Sequence, residues 1–176
     1  MEISEVLRAL EQEAERDGVP ILRGPERALL LDAVAAAKPR RILEIGTAIG
    51  FSALLMGERC PAVEIDTLEI DEARHARALQ AVMDAGRADR IHCHLGDAAA
   101  IIPMLQGPYD FLYLDGPKGQ YLRQLQMIEP RLSEHAVIAA DNVLFRGLVE
   151  STGPTPPLPH TRHASSRIYH LCEFAV

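Results

Sequence analysis

Asp115, Asp141 and Asn142 each offer a hard oxygen ligand, and two of the chain's apolar runs end at them. Three oxygens without His or Cys suit Mg²⁺, Mn²⁺ or Ca²⁺, with water and substrate completing the coordination sphere. Lys118 follows Asp115 on the same loop and adds a cation beside that set. A lysine near a metal can have its pKa lowered and accept a proton, whereas a lone lysine is usually a solvated surface charge. A second group lies earlier in the chain. The stretch Arg41-Ile-Leu-Glu-Ile-Gly-Thr-Ala-Ile-Gly-Phe-Ser52 reads as a buried strand, a tight turn and a helix N-terminus. Such a turn aims backbone N–H groups and the positive end of the helix dipole at an anionic head group. Glu69 stands roughly 20 residues beyond it, where an acid accepts hydrogen bonds from ribose hydroxyls in nucleotide-type folds. Asp97 could accept from an exocyclic amine on a base or cap the next helix. A nucleoside-bearing ligand is the expectation.

Positioning these residues requires strands that end together. Ile3, Val6, Leu7, Leu10 and Ala14 form one stripe of an amphipathic helix over 1–17, with Gly18 as its cap, and Gly24-Pro25 opens a second helix through Ala37. From there strand and helix alternate: strands at 41–46, 62–69, 91–95, 109–115 and 136–141, and helices at 50–58, 71–85, 98–105 and 119–131. That rhythm predicts an α/β fold, a doubly wound, mainly parallel sheet with helices on both faces. Ligands then sit beyond the carboxyl ends of the strands, where strand order reverses. The chain delivers an acid to each of those ends: Glu44, Glu69, Asp97, Asp115 and Asp141. The fourth and fifth strands are expected to be neighbours, which brings Asp115, Asp141 and Asn142 together.

Composition sets outer bounds. A length of 176 residues, 48% of them hydrophobic, fits a single domain with one substantial core, and a formal charge of −7 leaves no general basic surface for nucleic acid. No apolar run approaches a membrane span, the acidic N-terminus does not read as a signal peptide, and a cytoplasmic protein is expected. Cys60, Cys93 and Cys172 lack metal-ligand spacing and read as reduced buried thiols. His92 and His94 share one side of the third strand and read as a partly exposed face, and Arg40 and Arg41 as loop charges. Gly153-Pro-Thr-Pro-Pro-Leu-Pro159 is a proline-rich loop.

Over about residues 1–147 these motifs resemble the cation-dependent O-methyltransferases related to catechol O-methyltransferase, within the class I fold that uses S-adenosylmethionine. Leu-Glu-Ile-Gly-Thr-x-x-Gly-Phe-Ser resembles that family's methionine-binding turn, which implies cofactor contacts at Glu44, Gly46, Thr47, Gly50 and Ser52. The resemblance further implies Glu69 as the ribose acid, Asp97 with Ala98 as the adenine contact, Asp115 beside the cofactor, Asp115, Asp141 and Asn142 as ligands of Mg or Mn, and Lys118 as general base. Lys118-Gly-Gln-Tyr121 and Asp141-Asn-Val-Leu-Phe-Arg-Gly147 are similar to a bacterial branch that includes tRNA 5-hydroxyuridine methyltransferase. Implied acceptors are therefore a small molecule with adjacent oxygens or tRNA, in a homodimer.

Two departures stand out. Gly116-Pro117 replaces the residues usual between the metal aspartate and the lysine. Family members also continue past a last helix into an antiparallel strand pair. Here Ile168, Leu171, Cys172 and Ala175 at helical spacing predict that last helix within 162–176, and the fifth strand is expected to be an open edge. The domain is thus read as N-terminal helices over 1–37, a cofactor and metal core over 41–147, and a proline-rich loop with a last helix over 148–176. The competing functions are a non-catalytic S-adenosylmethionine-binding module and a nicotinamide-dependent oxidoreductase. The Gly46-x-x-x-Gly50 spacing opposes the latter.

Overall fold

The central apolar runs become strands buried on both sides. In a computed structural model, which describes residues 1–141 and the backbone of 167–171, strands β1 (Arg41–Ile45), β2 (Glu64–Glu69), β3 (Ile91–Leu95), β4 (Tyr109–Leu114), β5 (Leu132–Asp141) and β6 (Arg167–Leu171) form one sheet in the order β3-β2-β1-β4-β5-β6. All five pairings are parallel. Alternate residues therefore feed two cores. Ile42, Ile65, Phe111 and Tyr113 pack under helices α1 (Ile3–Asp17), α2 (Gly24–Ala37), α3 (Phe51–Arg59) and α4 (Glu72–Asp84). Leu43, Ile45, Leu68, Leu112 and Leu114 pack under α5 (Ala98–Ile101) and α6 (Tyr121–Ile128). Burial on both faces explains why β1 and β4 are near-continuous apolar runs.

The chain winds outward from β1 to β3, then returns to place β4 on the other side of β1. The reversal at β1 and β4 opens a crevice at the carboxyl ends of those strands. Helix ends are fixed locally: Gly18 closes α1 at φ 67°, and the Asp71 carboxylate accepts the Arg74 N–H at 2.8 Å to start α4.

The C-terminal expectation is corrected. Residues 167–171 form a parallel strand on β5, from Val137↔Arg167 to Asp141↔Leu171, in place of a helix. The outer edge of β5 is therefore paired. An unpaired ladder of N–H and C=O groups is a stronger demand than a weak helical periodicity, and Ile168-Tyr169 suits a strand. The expected helix over 98–105 is shorter, with α5 followed by a 3-10 turn at Ile102–Met104.

Candidate active site

The turn after β1 is held by close backbone packing. Gly46 adopts φ 106°, and a Cβ there would lie 2.4 Å from the Asp115 carbonyl oxygen, so the end of β1 abuts the end of β4 only because residue 46 has no side chain. Gly50, at φ 88°, caps α3. Beneath the turn lies a chain of buried polar groups. The Ser52 hydroxyl donates to Glu44 Oε1 at 2.5 Å, the Thr67 hydroxyl donates to Oε2 at 2.5 Å, and Thr47 Oγ1 is 2.6 Å from Thr67 Oγ1. Burial raises the Glu44 pKa to about 7, against the two hydroxyl donors and with help from the charge of Glu69. Thr67 had no signal in sequence beyond its place in β2.

Above the turn is a cavity of about 530 Å³, lined by Gly46, Glu69, Asp97, Ala98, Asp115 and Asp141 among others. Glu44, Thr47, Gly50 and Ser52 lie outside its lining and shape the turn from below. The Glu69 carboxylate accepts from the Ala48 N–H at 2.7 Å through Oε2 and from the Ile70 and Asp71 N–H groups at 2.9 Å through Oε1. Those three bonds fix its orientation and leave acceptor capacity on Oε2. Asp97 is a helix cap, accepting the Ala99 N–H at 2.7 Å through Oδ1, and it also lines the cavity. Pro20, Ile21 and Leu22, between α1 and α2, also line it.

At the far end, Asp115 follows β4 and Asp141 ends β5. Their carboxyl groups come within hydrogen-bonding reach, and burial together with the charges of Asp141 and Glu44 holds the Asp115 pKa well above its ordinary 3.8. The Tyr113 hydroxyl is buried beside Asp115 and has no hydrogen-bond partner among the described residues. Tyr121 donates its hydroxyl to the Asp141 carbonyl at 3.2 Å. Two carboxylates pressed together in a partly buried site are costly until a cation or a proton neutralises them, so this donor set fits a hard divalent ion. Among the described residues no cluster of three His, Cys, Asp or Glu is assembled, since the pair needs a further oxygen. Asn142, expected there as a ligand, lies outside the described residues. Lys118 opens the 3-10 turn Lys118–Gln120 directly after the Asp115 loop.

A doubly wound parallel sheet, with an acid at the end of β2 and a cavity at the strand-order reversal, is the arrangement of folds that bind a nucleoside-bearing cofactor. A family model described as O-methyltransferase matches residues 3–163, and the chain belongs to that family, class I methyltransferases that use S-adenosylmethionine. A probable O-methyltransferase of Mycobacterium tuberculosis is 33% identical over 157 residues, 82% of this chain and 67% of that protein. Catechol O-methyltransferase of the same organism is 33% identical over 138 residues, 77% of this chain and 61% of that protein. The Streptomyces achromogenes O-methyltransferase TomG, crystallised in complex with SAM, superposes with a TM-score of 0.75 at 26% identity, covering 89% of this chain and 71% of that one. This chain spans 67%, 63% and 52% of the lengths of three curated relatives. Among the described residues no helix is long and apolar enough to cross a membrane.

Proposed function

We propose that the protein transfers a methyl group from S-adenosylmethionine to an oxygen of an acceptor with two adjacent oxygens, a catechol-like small molecule or 5-hydroxyuridine in tRNA, and that it does so with a divalent cation. The observation that carries this reading is the meeting of Asp115 and Asp141 at one end of the cavity whose other end is marked by Glu69 and Asp97. Asp115, Asp141 and Asn142 would hold Mg²⁺ or Mn²⁺. When bound, the two groups supply a sulfonium methyl and a Lewis acid that lowers the pKa of an acceptor hydroxyl. Glu69 would accept from the ribose hydroxyls and Asp97 with Ala98 would contact the adenine, while the Gly46 turn would meet the methionine end of the cofactor. Lys118 takes the hydroxyl proton. The chain's main contribution is alignment, a kind of positioning that supplies about 7–11 kcal/mol in well-oriented reactions without a covalent intermediate.

The test is single-turnover methyl transfer to catechol and to tRNA lacking the modification. Chelator should abolish transfer and Mg²⁺ or Mn²⁺ restore it. Lys118→Ala should lower the rate roughly 10²–10⁴-fold with cofactor affinity retained. Full activity in chelator removes the cation from the reaction, and superimposable pH profiles for wild type and Lys118→Ala remove the lysine.

A further inference from the structure

Tyr121, Gln124, Leu125 and Ile128 fall on one stripe of α6 at helical spacing, and three of the four are built for packing. Gln124 is the exception. It is 3% exposed, as buried as a core leucine, yet it lines the cavity. Its Nε2 donates to Gln120 Oε1 at 3.3 Å, a long bond, and its Oε1 is buried without a partner among the described residues. An amide oxygen removed from water without a donor costs folding free energy, and a leucine in the same place would not carry that cost. The residue also stands at a defined end of the cavity. Glu69 and Asp97 mark the cofactor end beyond β2 and β3, while Gln124 shares the other end with Pro117, Gln120 and Asp141.

We propose that Gln124 is a specificity-determining residue for the methyl acceptor: its amide oxygen receives a hydrogen bond from an N–H or O–H of the acceptor other than the two adjacent oxygens. The inference rests on the acceptor site described under the proposed function. An acceptor with such a third donor satisfies the oxygen that the described residues leave unpaired. One that carries a methyl group there traps the oxygen against an apolar surface. Sites built around a hydrogen-bonding group reject analogues that lack its partner far better than apolar pockets reject a missing methylene.

Two matched pairs of probes test this with the full chain, S-adenosylmethionine and Mg²⁺: pyrogallol against 3-methylcatechol, and benzene-1,2,4-triol against 4-methylcatechol. Wild type should prefer the triol of at least one pair by tenfold or more in kcat/KM, expressed mainly in KM. Gln124→Met, of similar length and without the amide, should erase that preference while S-adenosylhomocysteine affinity and the melting temperature hold or rise. An unchanged preference in Gln124→Met overturns the proposal, and so does a fall in melting temperature, which marks the amide as a structural brace. Should wild type methylate none of the four, equilibrium binding of the probes beside S-adenosylhomocysteine and Mg²⁺ still decides. A triol held tenfold more tightly by wild type than by Gln124→Met supports Gln124 while rejecting methyl transfer to such diols. Equal binding overturns Gln124 as well.

Discussion

Two aspartates of the same sheet meet opposite fates. Asp66, on β2, is buried, and burial alone would raise its pKa. Its Oδ1 lies 2.8 Å from His94 Nε2, while its Oδ2 accepts from the Tyr109 hydroxyl at 2.7 Å and from Arg41 at 3.0 Å, and together these hold the carboxyl below its ordinary value. Asp115, after β4, is buried against a second acid, whose charge together with burial outweighs the one hydroxyl beside it, Tyr113, and its pKa moves the other way. One acid has been given donors by its neighbours and the other has been given competitors. A carboxylate whose partners are all within the fold is structural. One pressed against a second acid needs a proton or a bound cation to balance it.

The largest expected effect separates the two at once. Asp66→Ala strips the acceptor from Arg41, His94 and Tyr109 together and should cost about 3 kcal/mol in denaturant unfolding, with S-adenosylhomocysteine affinity little changed. Because the folded pKa of Asp66 is depressed, its contribution is present above the unfolded value of 3.8 and is lost as pH falls through the folded value. The gap between wild type and variant should therefore close in acid. A gap that stays constant to pH 2 would show that Asp66 acts through packing alone.

Glu44 gives the second effect, of opposite sign. A rise from 4.5 to about 7 corresponds to at most about 3 kcal/mol, and the folded state is the one that keeps the proton. Stability from this group is full below pH 4.5 and is lost as pH rises through about 7. Glu44→Gln, which holds a neutral side chain at every pH, should gain on wild type between pH 5 and 8 in chemical denaturation. A difference that does not move with pH would mean that Glu44 stays ionised under the turn.

The contrast between the aspartates also explains what was legible in the sequence. Glu69, Asp97, Asp115 and Asp141 were readable as a rim because each stands at or just past a strand end and the βα alternation brings strand ends together, whereas Glu44, also expected there, is buried beneath the turn. The order of β4 and β5, and with it the meeting of Asp115 and Asp141, follows from that rhythm. The Asp66 network was not readable. Arg41 opens a strand and pairs with Asp66, where the sequence reading took it for a loop charge, and His94 finds its carboxylate on the neighbouring strand. Those partners meet only through the register Leu43↔Asp66↔His92, which no local pattern encodes. Gln124 escaped notice for a related reason: a glutamine on a helix reads as solvent-facing until the helix is docked. The last strand escaped because its edge partner, rather than its own periodicity, decides its conformation.

The smallest effect is the sharpest test of the comparison, because it makes the same chemical change on one strand at two depths. Tyr109 and Tyr113 both lie on β4 and are fully buried, and burial raises the pKa of both. Tyr109 donates to Asp66, whereas the Tyr113 hydroxyl has no partner among the described residues. Tyr109→Phe removes a charge-assisted bond and leaves Asp66 short of a donor, so it should cost about 1.5–3 kcal/mol. Tyr113→Phe removes only an unpaired hydroxyl and should stay within about 0.5 kcal/mol of wild type in metal-free protein, or gain stability. If the hydroxyl is kept to orient Asp115, the loss appears elsewhere, as a weakening of Mg²⁺ affinity of roughly 10–100-fold in calorimetry, the range seen for groups that orient metal ligands. Equal losses of stability at the two tyrosines would dissolve the distinction between the structural acid and the functional one. A loss confined to Tyr109, with Mg²⁺ affinity falling only at Tyr113, would fix it.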